Sequence, residues 1–293
     1  MMVAEGCSLP FDQFMEHALY DPQTGYYRQS PHNLLGKTGD FFTASQLQPL
    51  FGELISSLLP DEPVMELGAG REEMRTALAP RPYLGIGIDD PLPAFWRGSL
   101  FAHEFFDALP VVAGVRQEEE LRELLVKRTG TTYQWAVGPP LSPERRAYVA
   151  RYYPSLPDGA KFEIAERAAD WIRRISECLV AGTVLIIDYG WHGNEYLRFP
   201  EGSLISYRQH TAIPNVLQNP GLQDITAHVP FPLLIDCAQQ HGFTVIRFET
   251  LAQTVLSAID RLPHLLAEPH LRLHLKTVLF GMGESFRTLV LKK

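Results

Sequence analysis

An α/β fold, a mainly parallel sheet covered by helices on both faces, is the expectation for this chain of 293 residues. Two observations predict it. Short apolar runs of strand length alternate with amphipathic helical stretches. Four acids, Glu66, Asp89, Glu104 and Asp188, fall at or just past the ends of expected strands. Such sheets bind ligands beyond the carboxyl ends of their strands, so acids along that edge say more together than any one does alone.

The elements follow in order. Residues 11–36 read as a short helix and a Gly/Pro/Tyr-rich loop, in which Tyr26 and Tyr27 look like packing residues. Ser45 and Gln48 fit a capping box. Leu47, Leu50, Phe51, Leu54, Ile55 and Leu58 then form one apolar face at helical spacing, ended by Pro60. "PVMELGAG" reads as a buried strand and tight turn, followed by a helix over Arg71–Ala79. "YLGIGID" and "GSLFAH" are the second and third strands. "VVAGVRQ", "LRELLVKR" and "TTYQWAVG" interrupt the alternation, so they read as an inserted block with a hairpin turning at Thr129-Gly130-Thr131. Tyr148 to Pro157 reads as a connector. Ala168, Ile172, Ile175 and Leu179 line a helix, and "GTVLIIDYG" is the cleanest buried strand. Residues 191–230 are loop-rich with one strand at "GSLISY". A helix at 231–241, a strand "FTVIRFET", more helix between 251 and 280, and a terminal strand "SFRTLVLKK" complete the chain.

Composition narrows the function classes. The net charge is −8, from 26 basic and 34 acidic residues, and no basic stripe stands out. That argues against nucleic acid as a partner. Cys7, Cys178 and Cys237 are far apart and lack CxxC spacing, which argues against a disulfide framework and a cysteine zinc site. They read as buried free thiols in a reducing compartment, and a cytoplasmic location is expected. No apolar run is long enough to span a membrane. The start "MMVAEGCSLP" has no basic n-region with an apolar h-region, so no secretory or transit signal is expected.

The Gly-x-Gly of "VMELGAGREEM" would let backbone approach a ligand closely. A dinucleotide loop would continue to a third glycine with a pyrophosphate at the helix start; here Glu72 and Glu73 would repel phosphate. A cofactor without phosphates, S-adenosylmethionine, fits better. Glu66 could support the turn or the amino-acid end, and Asp89 could accept hydrogen bonds from ribose hydroxyls. Gly68 and Gly70 could also do no more than turn the chain. Glu104 and Asp107 would share a face if their loop began a helix. Asp107 could also do no more than support local backbone. Asp224, Thr226 and His228 alternate along an extended segment and, with His210, could form a polar wall or a set of structural hydrogen bonds. A metal site is not expected.

Several segments in order resemble the MidA-like family, relatives of the mitochondrial complex I assembly factor 7. They are "LYDPQTGYY", "GDFFTAS", "ELGAG", "HEFFDALPV", "IDYG", "GSLISYRQH" and "PGLQDITAHVPF". The resemblance spans nearly the whole chain. It implies a Rossmann-like class I methyltransferase fold with loop-rich additions at both termini. An N-terminal helical lid segment would cover residues 1–60. The methyltransferase domain would cover 61–293, with insertions at about 112–160 and 191–230. The family's mitochondrial member methylates an arginine of a complex I subunit, which makes a protein substrate or assembly partner the implied partner.

On that resemblance, Glu104, Asp107 and His228 are the catalytic candidates, with the two carboxylates orienting the guanidinium of an arginine acceptor. Gly39, Asp40, Thr43, Glu66, Gly68, Gly70, Asp89 and His103 are the cofactor set. Asp188, Tyr189, His210, Asp224 and Thr226 are the substrate set. The chain departs from the family's pattern at His103, where Asn is usual, and at Glu72, where a small residue is usual. Only 13 residues separate Asp89 from His103, little room for the usual helix and strand. A non-catalytic binding or assembly factor is the alternative function, and a small-molecule methyltransferase a third.

Overall fold

The computed structural model describes residues 6–28, 49–208 and 211–293. The chain divides into two compact units, each drawn from three separated stretches. The first comprises Met1–Phe42, Asp107–Ala169 and Trp191–Leu233, and the second Thr43–Phe106, Asp170–Gly190 and Leu234–Lys293.

The second unit is built on six strands: β1 (Val64–Leu67), β2 (Tyr83–Ile86), β3 (Ser99–His103), β4 (Thr183–Trp191), β5 (Thr244–Thr250) and β6 (Phe286–Lys292). Their order is β5-β6-β4-β3-β1-β2. β1, β2, β3 and β4 run parallel, with Leu67 beside both Ile86 and Ala102, and Ile187 beside His103. Their carboxyl ends therefore share one edge, and the segments bearing Glu66, Asp89, Glu104 and Asp188 emerge there. β6 runs antiparallel to both β4 and β5, so the sheet is mixed. Apolar runs pattern alike in either direction, and the sequence of the last strand carries no mark of its polarity.

All four residues of β1 are buried, as a strand covered on both faces requires. Helix α1 (Leu50–Leu58) supplies Leu50, Phe51, Leu54 and Ile55 to a core shared with Phe101, Leu185 and Ile187. Helix α3 (Leu251–Ile259) adds Leu251, Val255 and Ala258 to the same core. It begins with a capping box in which Thr250 accepts from the Gln253 amide and the Gln253 side chain accepts from the Thr250 amide. Helix α2 is shorter than expected, Met74–Leu78. Its would-be first turn is held out of helical geometry because Glu72 sits at φ 56°. β2 is an edge strand, its one neighbour among the described residues being β1. The chain leaves β2 through turns and regains the sheet at β3 with no intervening helix, as the short spacing predicts.

The first unit carries an antiparallel sheet in the order Ser8–Pro10, Glu120–Thr129, Val112–Gln117, Lys161–Ile164, with Thr132–Pro140 paired to Glu120–Thr129. The inserted hairpin is thus present, closing at Thr129 opposite Thr132. Phe11 and Phe14 of the helix Phe11–Tyr20 pack on this hairpin, their rings 4.9 Å from Trp135 and 5.3 Å from Tyr133. A second, three-stranded sheet joins Thr211–Ile213, Ile205–Arg208 and Asp224–Thr226. The supposed connector begins inside a helix, Pro143–Tyr152, which Ser142 caps and Pro143 opens. Proline at the first helical position loses no hydrogen bond, so Pro143 opens this helix rather than extending the connector. Of the cysteines expected to be buried, Cys178 is, but Cys7 in the short segment before Ser8 is exposed and Cys237 half-buried.

Phe101 is fully buried in β3 at the centre of the sheet. Phe101→Ala is expected to destabilise the protein by about 3–5 kcal/mol, read from urea midpoints. A loss below about 1 kcal/mol would contradict a core position for this strand.

Candidate active site

The turn after β1 depends on two glycines in the left-handed region, Gly68 at φ 67° and Gly70 at φ 51°. A Cβ on Gly68 would lie 3.0 Å from the Phe105 ring, so a side chain here would also crowd that ring. The Gly68 and Ala69 amides both donate to the Ile86 carbonyl, at 3.0 and 3.3 Å, which ties the turn to the end of β2. At Gly70 the surroundings are open: an added Cβ would meet only the Gly68 carbonyl, at 3.9 Å. A ligand can therefore approach the backbone there, and the turn fits an adenosyl cofactor. Asp89 lies in the exposed turn after β2, where the Asp90 carboxylate accepts from the Gly87 amide at 2.8 Å.

Glu72 turns its carboxylate onto Arg75, with both oxygens 2.7 Å from guanidinium nitrogens. Glu66 is buried in β1 and accepts a hydrogen bond from the Tyr83 hydroxyl. Burial pushes the Glu66 carboxyl up to about 7; Tyr83 and then His103 pull it down, and Glu73 and Glu72 push it up.

His103 ends β3 with its ring 4.7 Å from Phe51, and its Nε2 lies 3.1 Å from Glu104 Oε1. Glu104 adopts φ 48°, and its amide donates to the Ile187 carbonyl at 3.1 Å. The segment from Glu104 to Asp107 is not helical, so the condition under which those two acids would share a helical face is not met. The left-handed Glu104 redirects the chain before a turn can form.

Asp188 has no solvent exposure. Its carboxylate accepts from the amides of Phe105 at 3.2 Å, Phe106 at 2.9 Å and its own neighbour Tyr189 at 3.0 Å. It holds the loop after β3, and its role on these contacts is to position that loop. The Tyr189 ring packs edge-on to Phe286 at 5.0 Å.

In the first unit three separated motifs converge. A Cβ on Gly221 of "PGLQDI" would lie 2.3 Å from the Thr24 carbonyl of "DPQTG", so the two turns touch. The Tyr27 hydroxyl donates to Asp224 at 2.8 Å, and the Tyr20 hydroxyl to the Ala108 carbonyl of "FFDALP" at 2.8 Å. The Ala227 amide donates to the Asp107 carbonyl at 2.9 Å. Asp107, Asp224 and Thr226 are all buried. Burial and then the charges of Asp224 and Asp107 raise the Tyr20 hydroxyl well above the usual tyrosine range; burial, Asp224 and Asp107 also raise Tyr27, to which nearby Tyr20 adds. Both hydroxyls therefore stay protonated donors beside two buried acids.

His228 lies beyond the strand Asp224–Thr226. Its amide donates to Ser203 Oγ at 3.0 Å, and its ring meets Phe199 edge-on at 4.5 Å. Gly39, Asp40, Thr43 and His210 lie outside the described residues, as do Ser45 and Gln48 of the expected capping box. Sequence reasoning missed Arg75, Tyr83 and Phe105, and read Tyr27 as packing alone. The one available signal for Tyr27 was its place in a motif shared with the resembled family.

Residues 89–249 match the family described as "Putative S-adenosyl-L-methionine-dependent methyltransferase". The chain belongs to that family. S-adenosylmethionine is the family's cofactor, and the open glycine turn after β1 suits it. Among curated relatives, the zebrafish (Danio rerio) mitochondrial protein arginine methyltransferase NDUFAF7 is 25% identical, over 76% of this chain and 66% of its own length. The Drosophila melanogaster homologue is 25% identical, over 80% of this chain and 67% of its own. The chain thus spans about two thirds of the length of these relatives. A Burkholderia thailandensis crystal structure bound to S-adenosyl-homocysteine shares the fold, with a TM-score of 0.85 and 24% identity over 98% of this chain and 88% of that one.

Two outcomes are expected. Asp188→Ala strips the acceptor from three amides and is expected to cost about 2–4 kcal/mol by urea denaturation; no change would remove its positioning role. Glu66 has a folded value of about 7 against an ordinary 4.5, so its contribution favours folding below 4.5 and is lost as pH rises through 7. Between pH 5 and 8, Glu66→Gln is expected to remove up to about 3 kcal/mol of this fall in stability. Identical pH profiles for the two proteins would refute the shifted carboxyl.

Proposed function

We propose that this protein transfers the methyl group of S-adenosylmethionine to a protein side chain, and that the acceptor is an arginine. The observation that carries this reading is the convergence of buried Asp107 and Asp224 with Tyr20 and Tyr27 from three distant motifs. Carboxylates are the groups that pair with the planar fork of a guanidinium. The names of the curated relatives support the same acceptor.

The cofactor supplies an electrophilic methyl on a sulfonium. The chain's own residues do the rest by position. Gly68 and Gly70 let backbone approach the cofactor, and Asp89 is available to its ribose. Within the first unit, Asp107 and Asp224 are the carboxylates that hold the guanidinium's charge. Tyr27 donates to Asp224 and fixes which of its oxygens faces the acceptor.

A second reading, a binding or assembly factor without catalysis, is favoured by the sheet's ending at β2 and by Glu72 in the turn. Labelling separates the two. Radiolabelled S-adenosylmethionine and cell extract are expected to yield labelled protein and, after hydrolysis, methylarginine. Asp107→Asn and Asp224→Asn are each expected to lower kcat/KM about 100-fold, with S-adenosylhomocysteine affinity held within about twofold by calorimetry. Label confined to small metabolites, or unchanged variants, would overturn the arginine reading. Cofactor binding without any transfer would favour the assembly factor.

A further inference from the structure

Glu72 occupies a turn position whose φ of 56° suits glycine, and it brings a carboxylate to the loop that would hold the cofactor. The structure shows what becomes of that charge. The Glu72 side chain lies over β2, so close that a Cβ on Gly85 would meet its Oε1 at 2.7 Å. Gly85 thus makes the room that Glu72 uses. Arg75, one turn further on, grips both carboxylate oxygens at 2.7 Å. Arg75 is itself held, its Cζ 4.6 Å from the centre of the Tyr83 ring, and the Tyr83 hydroxyl donates to buried Glu66. One chain of contacts therefore runs from the turn across β2 to the acid beneath the turn.

We propose that Arg75 is a positioning residue for the cofactor. It draws Glu72 onto β2 and neutralises it, and so keeps a carboxylate from facing the carboxylate of the cofactor's methionine end. The proposal rests on the reading of the glycine turn as the S-adenosylmethionine site. Bidentate pairing suits the task because it fixes orientation as well as charge, which a lysine does less well. Tyr83 beneath the guanidinium limits where Arg75 can swing.

The test is calorimetric titration of S-adenosylhomocysteine into wild type, Arg75→Ala, Arg75→Lys, Glu72→Gln and the Glu72→Gln/Arg75→Ala double variant, each with its Tm. Arg75→Ala frees the Glu72 charge and is expected to weaken binding about tenfold or more at low salt, a loss that shrinks as salt rises. Glu72→Gln is expected to bind like wild type. The double variant is expected to regain affinity to within about threefold of wild type, and Arg75→Lys to fall between the extremes. Two results overturn the proposal: Arg75→Ala binding as wild type does, or the double variant binding as weakly as Arg75→Ala, which would make Arg75 a packing residue only. Wild type that fails to bind S-adenosylhomocysteine overturns the cofactor reading and the proposal with it.

Discussion

The capture of the Phe105 and Phe106 amides by Asp188 is the contact on which the candidate site depends. Burying a carboxylate is costly unless its oxygens find donors, and three backbone amides supply them here. The acid leaves β4 where β3 ends, because Ile187 and His103 are neighbours in register. Its Oδ2 meets the segment that follows His103, while its Oδ1 accepts from the Tyr189 amide. Once that segment is held, the Phe105 ring stands against Gly68, and a side chain at that point of the turn after β1 would crowd it. One buried carboxylate thus holds the loop whose Phe105 ring lies against the glycine turn.

The same segment continues into Asp107, the first residue of the other unit's second stretch. There the anchors are of a different kind. The Asp107 and Ala108 carbonyls accept from Ala227 and Tyr20, while Tyr27 and Gly221 join the remaining motifs to one another. Two buried acids close to the Tyr20 and Tyr27 hydroxyls favour a cationic ligand, because one positive group would relieve both at once. That is the physical content of the arginine reading. The acids are brought together by backbone contacts on either side of them, so their placement does not rely on their own pairing.

The turn after β1 combines strain and compensation. A non-glycine residue at positive φ is unfavourable by about 1 kcal/mol or more, and both Glu72 and Glu104 accept it. Each has a specific partner: Arg75 for Glu72, and for Glu104 the ring of His103 with the Ile187 carbonyl on its amide. The truncated sheet edge at β2 and the short helix α2 belong to the same local arrangement. With little chain between Gly70 and β2, Glu72 has Gly85 and Tyr83 as close neighbours, and its charge is managed there.

Much of this was legible in the sequence because strand and helix periodicities are local. The alternation of apolar runs gave the α/β class, the row of acids at one sheet edge, the inserted hairpin and the short path from Asp89 to His103. Strand direction was not legible: β6 is antiparallel, and its apolar pattern would be the same either way. Nor was the geometry of the "HEFFDALP" loop, where Glu104 and Asp107 would share a face only in a helix and Glu104 is instead left-handed. The residues by themselves determined which chemistry is present: glycines for a close turn, acids for a cation, no phosphate cradle. Only the tertiary structure decided which groups meet. Asp188 finds amides, Asp224 finds Tyr27 and Glu72 finds Arg75. The first two depend on partners 82 and 197 residues away, which no local pattern can encode.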